Sequence, residues 1–334
     1  MFGGFHNTAQ LGSLNPSGIV TGGLIGDFNT NTGNLSGTAR WSNSISGEPD
    51  LEIKNGTTWI TGTSDAPSVF KFDGVDNYIG SYNDVYNESF DINLHNGFSI
   101  CTWWSFSGNT GEFAGVPAPS TYVEYSPLIS AGEVMKESGF WMGTLAHLSG
   151  HYMASDLDWG KGHIMIEAGE SDLSEFRIQN NGGGDPYGGQ QAGINNRYSL
   201  TSGDNEWHMI SCTVSSGGGG TGQWNIYIDA SSEPTMNESS GPTTMLDGDS
   251  TAAALWLGRV DKFPAYQASD YPFIGGTHYA GQNFRLGRVL VYSKELKESE
   301  VRQNYYATKD DFLKTGDYKH LAPAEYDGEG GGGK

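Results

Sequence analysis

Cysteine is rare in this sequence of 334 residues, in which only Cys101 and Cys212 occur. Small domains that depend on disulfides for stability carry a much higher density of half-cystines. The fold must therefore be held together by a hydrophobic core.

Positive charge is also scarce. Lysine and arginine total 18 against 39 acidic residues, which gives a formal net charge of −21. Such a surface repels polyphosphate and anionic lipid and offers no basic footprint for a nucleic acid. We therefore expect no nucleic-acid partner.

Long apolar runs are absent as well. No stretch approaches the ~18 consecutive apolar residues of a membrane span. The opening residues MFGGFHNTAQ lack a cationic region followed by an apolar one, which is the pattern of a secretory signal. We expect neither membrane insertion nor classical secretion of the chain as written.

Glycine and aromatic residues, in contrast, are abundant: the chain has 50 glycines, and Phe, Trp and Tyr make up 12% of it. Glycine is about twice its usual ~7%, which is typical of many turns between short strands. The aromatic content is too high for a disordered chain and allows a sizeable core. Because β-sandwiches reach roughly 200–250 residues as one unit, a single enlarged domain with flanking segments fits this length.

From Gly23 onward the chain divides into short β-type runs separated by Gly, Asn, Asp and Ser. In one of them Trp224, Ile226 and Ile228 alternate with Asn225 and Tyr227, and a period of two indicates a strand with one buried face. The runs that predict strands are residues 69–79, 98–106, 122–129, 140–145, 163–167, 208–214, 224–229, 254–257 and 284–292.

One helix is predicted, over residues 298–306, where Val301 and Tyr305 form an apolar stripe. We expect it to cap one end of the sandwich. The predicted organisation is an N-terminal arm (1–18), one domain (19–308) and a C-terminal tail with a Gly-rich end (309–334). Long stretches without a pattern, typical of functional or assembly loops, lie at 107–121, 146–162, 179–205, 230–250 and 259–283.

Five blocks of the sequence, in order, resemble the laminin-G-like and pentraxin-like members of the concanavalin A-like lectin and glucanase superfamily. This resemblance implies an all-β fold, a two-sheet antiparallel jelly-roll sandwich with long loops and one short C-terminal helix. The blocks are FKFDGVDNYIGS (70–81), NGFSICTWWSF (96–106), EWHMISCTVSS with GQWNIYIDA (206–230), ALWLGR (254–259) and FRLGRVLVYSKELKESEVRQNYY (284–306).

The alternating apolar residues of these blocks are predicted to form the core. Each buried one contributes on the order of 1.5–3 kcal/mol. They are Phe70, Phe72, Ile100, Trp104, Ile210, Val214, Ile226, Ile228, Leu255, Leu257, Val289 and Val291.

The stretch from Trp41 to Trp59 resembles the opening of lectin-like domains in structural proteins of tailed bacteriophages. The resemblance implies a non-enzymatic structural or binding protein on a particle surface, such as a capsid decoration or fibre subunit of a virion. Its location would be the virion surface or the extracellular space. The alternative is a carbohydrate-binding lectin module for host attachment, and a glycoside hydrolase ranks third.

Two strings have the E-x-D-x-E spacing that places catalytic carboxylates on one strand face in related glucanases: Glu48 to Glu52 and Glu325 to Glu329. Pro49 would interrupt the first strand. The second string lies in a glycine-rich tail that cannot hold two carboxyl groups ~5–6 Å apart. We predict that neither is catalytic and that the chain is not an enzyme.

No cofactor is predicted, although pentraxin-like relatives bind Ca²⁺ through loop carboxylates and amides. The positions that match this site hold Glu137 and Asp261, which are weak metal candidates because Arg259 and Lys262 lie beside Asp261. The resemblance also places Cys101 at the pentraxin half-cystine position. Cys212 lies one residue out of register for its partner, so two buried free thiols are expected instead of a bridge.

Nine aromatic residues fall in the predicted loop stretches. Aromatic rings beside Asp, Asn and Gly are used in protein interfaces and in sugar stacking, and we favour an interface over a glycan site or local loop packing. The residues are Tyr122, Tyr125, Tyr152, Trp159, Tyr187, Tyr266, Tyr271, Phe273 and Tyr279.

The N-terminal arm carries four apolar side chains on a segment too rich in Gly and Asn to fold alone: Phe2, Phe5, Leu11 and Leu14. Exposed, these side chains would be a liability. We predict that the arm is ordered against a neighbouring subunit. The expected partners are therefore other structural proteins of a virion or surface assembly, further copies of this chain and, in the alternative function, surface glycans.

Overall fold

The structure of the chain, a computed structural model, describes residues 18–64, 66–73, 75–81, 97–106, 123–131, 140–147, 163–168, 176–179, 190–191, 207–215, 221–231, 236–242, 255–263, 276–279 and 284–313. The strands are β1 (Leu24–Asn29), β2 (Arg40–Trp41), β3 (Leu51–Lys54), β4 (Thr58–Ile60), β5 (Val69–Lys71), β6 (Tyr78–Ser81), β7 (Phe98–Phe106), β8 (Val123–Ala131), β9 (Phe140–His147), β10 (His163–Ala168), β11 (Phe176–Gln179), β12 (Gln190–Gln191), β13 (Trp207–Val214), β14 (Thr221–Ile228), β15 (Met236–Pro242), β16 (Leu255–Leu257), β17 (Arg259–Phe263), β18 (Gly276–Tyr279) and β19 (Phe284–Tyr292). The helix α1 (Glu298–Thr308) is followed by a 3₁₀ turn, Lys309–Asp311.

These strands form two large sheets and one hairpin. The eight-stranded sheet has the order β15-β14-β13-β7-β19-β5-β4, with β1 pairing the remaining length of β19. The nine-stranded sheet has the order β12-β11-β10-β9-β8-β16-β6-β3-β2, and β17 pairs with β18. All pairings are antiparallel except β11 with β12. The predicted all-β jelly-roll sandwich with one short C-terminal helix is confirmed.

The core lies between the sheets and contains all twelve residues predicted for it. Trp104 is fully buried against Phe72 and Phe284, with ring centroids 5.9 and 6.4 Å away. Trp224 meets Phe98 edge-on at 5.8 Å. The alternation of the sequence therefore gave the correct inward face for β7, β13, β14, β16 and β19.

The outer face of the eight-stranded sheet is also buried, because α1 packs along it. Trp103, which points away from the core, is stacked between Tyr305 at 5.5 Å and Phe312 at 4.9 Å. The prediction that the helix caps one end of the sandwich is thus wrong. The helix also runs two residues past the predicted end, to Thr308.

The chain enters and leaves the described domain on this same helix-bearing face. The Val20 backbone N–H donates to Asn304 Oδ1 at 2.9 Å, and Gln303 Nε2 donates to the Gly18 carbonyl at 3.0 Å. After α1, Phe312 is buried and Leu313 packs against the same cluster. The packed structure therefore continues five residues beyond the predicted boundary at 308.

Several strands fall where the sequence showed no alternation. The predicted run at 69–79 is two strands, β5 and β6, joined by a turn in which Asp73 Oδ1 accepts the Val75 N–H at 2.8 Å. Strands β15, β17 and β18 lie inside stretches predicted to be irregular. They are rich in polar residues, so the period-two signal is missing from their sequence.

The two cysteines lie on opposite faces of the eight-stranded sheet and are not bridged. Cys212 faces the core between the sheets, and Cys101 faces the cluster under α1. Burial raises the pKa of Cys101 to about 11, and burial followed by the nearby Cys101 raises that of Cys212 further above its ordinary value. The expectation of two buried free thiols is confirmed.

Candidate functional site

Most of the aromatic candidates lie outside the described residues: Tyr122, Tyr152, Trp159, Tyr187, Tyr266, Tyr271 and Phe273. Of the other two, Tyr125 lies in the run 122–129 that is predicted to be a strand, and Tyr279 lies in a strand and not in a predicted loop. Tyr125 is in β8 opposite Leu145, and Tyr279 is in β18 opposite Arg259. Arm residues Phe2, Phe5, Leu11 and Leu14 also lie outside the described residues.

The two metal candidates are not tested as a pair by the described residues. Glu137 lies outside the described residues, and Asp261 belongs to the hairpin strand β17 and not to a loop. Among the residues whose side chains are described, no three His, Cys, Asp or Glu groups lie close enough to hold a metal ion. In the described part of the chain, no helix is long and apolar enough to cross a membrane.

The carboxylates of the first E-x-D-x-E string do not share a strand. Glu48 and Asp50 precede β3, and only Glu52 lies in it. Asp50 Oδ1 accepts the Asn43 backbone N–H at 2.8 Å, which gives this carboxylate a role in closing the turn. Glu52 pairs with Lys54 on the same strand.

His208 and Asp229 lie side by side, with His208 Nδ1 2.9 Å from Asp229 Oδ2. The other oxygen of Asp229 accepts the Met209 backbone N–H at 2.9 Å, and Asp229 adopts a left-handed conformation with φ 55°. Both oxygens are thus engaged in holding the end of β14 against β13. His208 and Asp229 therefore have a structural role in this strand pair.

A site does emerge where the chain leaves β16 for the hairpin. Gly258 has φ +78°, and a Cβ there would lie 2.5 Å from Phe72 Cε1, so the sharp turn requires glycine. The Gly258 N–H donates to the Leu128 carbonyl at 2.9 Å, and Ser130 Oγ donates to the Arg259 carbonyl at 2.6 Å. The backbone of Arg259 is therefore fixed on β8.

The Arg259 side chain lies over two aromatic rings on the outer face of the nine-stranded sheet. Its guanidinium carbon is 4.4 Å from the centroid of Tyr78 and 5.6 Å from that of Trp256. These rings form a small cluster separate from the core. A guanidinium held over aromatic faces is positioned by cation–π attraction of about 0.5–2 kcal/mol per ring.

We call Tyr78, Trp256 and Arg259 the Arg259 corner. Strand pairing places Lys54 opposite Tyr78 and Tyr279 opposite Arg259. Both rings are more than nine-tenths buried, and Arg259 is half-buried. Its N–H fork suits a carboxylate or a pair of neighbouring hydroxyl oxygens.

The sequence reasoning did not select the Arg259 corner. In the sequence, Arg259 was considered only because its positive charge disfavours calcium binding at Asp261. Tyr78 and Trp256 were not candidates. A usable signal was present in Trp256-Leu257-Gly258-Arg259, where a glycine turn places an arginine three residues after a tryptophan. The third member, Tyr78, comes from a distant strand and could be placed only by the sheet topology.

No protein-family model and no curated protein matches this chain. Among solved structures, it is similar to a sialidase of Trypanosoma rangeli in complex with 2,3-difluorosialic acid, with 13% identity over 89% of this chain and 35% of that one and a TM-score of 0.46. The binding domain of botulinum neurotoxin DC in complex with SialylT has 11% identity over 85% of this chain and 50% of that one, with a TM-score of 0.48.

A mutant of HCR D/C gives 13% identity over 88% of this chain and 52% of that one, with a TM-score of 0.50. The chain thus spans about a third to a half of the solved chains it resembles. At this identity the likeness to HCR D/C shows the β-sandwich fold alone.

Proposed function

We propose that this chain is a non-enzymatic structural and binding protein that is displayed on the surface of a particle, as a capsid decoration or fibre subunit of a bacteriophage virion is. One observation carries the proposal: the two ends of the described domain and the Arg259 corner lie on opposite outer faces of the sandwich. Gly18 and Leu313, where residues 1–17 and 314–334 join the domain, both lie on the helix-bearing face. The Arg259 corner lies on the opposite sheet.

This separation suits a displayed subunit. Attachment through the N-terminal segment would use the helix-bearing face and leave the opposite sheet free of that contact. The bacteriophage setting is supported by the resemblance of residues 41–59. In the structure this segment contains Trp41, buried in the core, the edge strands β2 and β4, and β3, which lies between β2 and β6.

The second candidate function, carbohydrate binding, is favoured by the Arg259 corner. Sugar hydroxyl and carboxylate groups are recognised by hydrogen-bond donors that are fixed in place. Here the cation is held by two rings, and its carbonyl is held by Ser130. The two functions are compatible, because a displayed subunit can also attach to a host glycan.

We expect Arg259→Ala to weaken binding of any glycan that the chain recognises by at least about tenfold, the equivalent of 1.4 kcal/mol. The variant removes the only guanidinium of the corner and leaves the core untouched. The measurement is a glycan-array screen of the wild-type chain, followed by calorimetric titration of the best ligand. Arg302→Ala, which removes an arginine paired with Glu298 on the opposite face, is the matched control. Equal affinities of the Arg259 variant and wild type would refute this site.

We also expect no turnover of laminarin or lichenan by the wild-type chain, and no change with Glu48→Gln. The Asp50 carboxylate is committed to a turn and the Glu52 carboxylate to Lys54, so neither is available as a partner for Glu48. Reducing-sugar release over a day at high protein concentration is a sufficient assay. Hydrolysis that Glu48→Gln abolishes would overturn the non-enzymatic proposal.

A further inference from the structure

Two positive side chains lie directly opposite each other on the outer face of the eight-stranded sheet. Arg285 of β19 is the register partner of Lys71 of β5. Their neighbours Phe284, Leu286 and Phe70 point into the core, so Lys71 and Arg285 share the outer face. Like charges opposite each other on neighbouring strands are destabilising, which makes the pair unexpected in a chain of net charge −21.

Three other cations of the described residues are paired with carboxylates, although Arg302 Nε is also buried without an acceptor. Arg288 is bidentate to Asp27 at 3.0 Å, Lys294 meets Glu300 at 2.6 Å, and Arg302 meets Glu298 at 3.4 Å. In the described part of the chain, Lys71 and Arg285 have no carboxylate within ion-pair distance. Arg285 Nε is buried and has no hydrogen-bond acceptor there.

A buried N–H of an arginine without an acceptor requires an explanation, because leaving it unsatisfied costs stability. Lys71 is exposed, and Thr58, its partner on β4, is exposed as well. The pair is thus open on the β4 side of the sheet. An anion there would satisfy Arg285 and relieve the repulsion.

The end of the described chain passes close to this pair. Phe312 lies on β19 at Gly287, where a Cβ would be 2.1 Å from Phe312 Cε1, so only glycine permits the contact. Asp311 reaches Arg288 at 3.7 Å. Gly287 is two residues from Arg285, which is roughly 7 Å along a strand.

The chain continues from Leu313 into a segment with an acidic run, Glu325-Tyr326-Asp327-Gly328-Glu329, which contains three acids and no base. Eleven residues lie between Leu313 and Glu325, and the twelve steps span up to ~40 Å when extended. The reach is therefore ample. A tethered carboxylate also has an effective concentration in the millimolar range, which a free ligand repelled by a net charge of −21 does not reach.

We propose that the acidic run 325–329 docks on Lys71 and Arg285 of its own chain, so that the C-terminal segment forms a strap held by charge across the helix-bearing face. Carboxylates would relieve the repulsion between the two cations, and the guanidinium fork favours a carboxylate in the plane of its N–H groups. This goes beyond the proposed function and does not depend on it.

The test uses spin labels on the full chain. Cys101 and Cys212 are buried, so a spin label should react with introduced cysteines instead. Tyr326→Cys carries the label on the acidic run, and Thr58→Cys carries the second label for the distance measurement. We expect an immobilised label at 326 and a short distance to position 58. Both should be lost in Lys71→Ala/Arg285→Ala and at 0.5 M salt, and both should be retained in Lys54→Ala.

The triple variant Glu325→Gln, Asp327→Asn, Glu329→Gln gives the same test without touching the folded domain, and it should release the label equally. A label at 326 that is mobile in the wild type overturns the proposal. So does a distance that disappears when labelled chain is diluted with unlabelled chain, because the acceptor is then a second copy. Binding of sialyllactose to Lys71 and Arg285 with a free tail would overturn it in favour of a free acid.

Discussion

Replacing Trp104 by alanine is expected to unfold the domain at ordinary temperatures or leave it barely stable. Trp104 is fully buried, packs against Phe72 and Phe284, and donates its indole N–H to Thr102 Oγ1 at 2.8 Å. Removing a buried tryptophan costs roughly 3–5 kcal/mol, out of a total stability of about 5–15 kcal/mol. Urea unfolding, followed by circular dichroism, measures the loss.

Trp224→Ala should behave in the same way, because its ring is buried against Phe98 at the other end of the core. Ile60→Ala is the control. Ile60 lies on the edge strand β4 and is 42% exposed, so its loss should cost less than about 1 kcal/mol. If both tryptophan variants melt cooperatively at the wild-type temperature, the strand register described above is incorrect.

Deleting residues 2–15 is expected to leave the jelly roll folded but to abolish incorporation into the particle or oligomer. The deleted segment ends before Gly18, and the contacts that fix the domain entrance, from Val20 to Asn304 and from Gly18 to Gln303, are retained. Ordering an arm costs ~1–2 kcal/mol per residue. The arm therefore persists only if a neighbour buries its apolar side chains.

The melting temperature of the truncated monomer and its occupancy in assembled particles are the two readouts. A length-matched variant, with Phe2, Phe5, Leu11 and Leu14 all changed to Ser, separates the apolar contacts from the backbone of the arm and should also fail to assemble. Wild-type occupancy of both variants would show that the arm has no part in assembly.

The interior of this fold was accessible from sequence because alternation is a local signal. Ile210 and Cys212, or Ile226 and Ile228, report their common face within one strand. Polar edge strands such as β15 and β18 carry no such signal, because water or loops can cover either face.

The second buried layer was harder to predict, although a trace of it is visible. In β7 and β19 the residues that point away from the core are themselves apolar, as Trp103, Leu290 and Tyr292 show. A strand with two apolar faces requires a cover on both sides. Alternation was interpreted as one buried face and one exposed face, so α1 was assigned to the end of the sandwich.

The Arg259 corner could not be predicted, because it joins Tyr78 of β6 to Trp256 and Arg259 across three strands. Nothing in the sequence of either block specifies that they are neighbours in the sheet. The sheet order β8-β16-β6 brings them together. Asp261, selected from the pentraxin resemblance, and Tyr279, selected as a loop aromatic, lie in strands and not in the predicted loops.

The most direct test of the account is an electron cryo-microscopy reconstruction of the assembly purified from its native source. The account predicts that the helix-bearing face, with α1 and residues 1–17, forms the contact with the neighbouring subunit and that the Arg259 corner faces solvent. A chain recovered only as a free monomer, or a contact that buries the Arg259 corner and leaves α1 exposed, would contradict it.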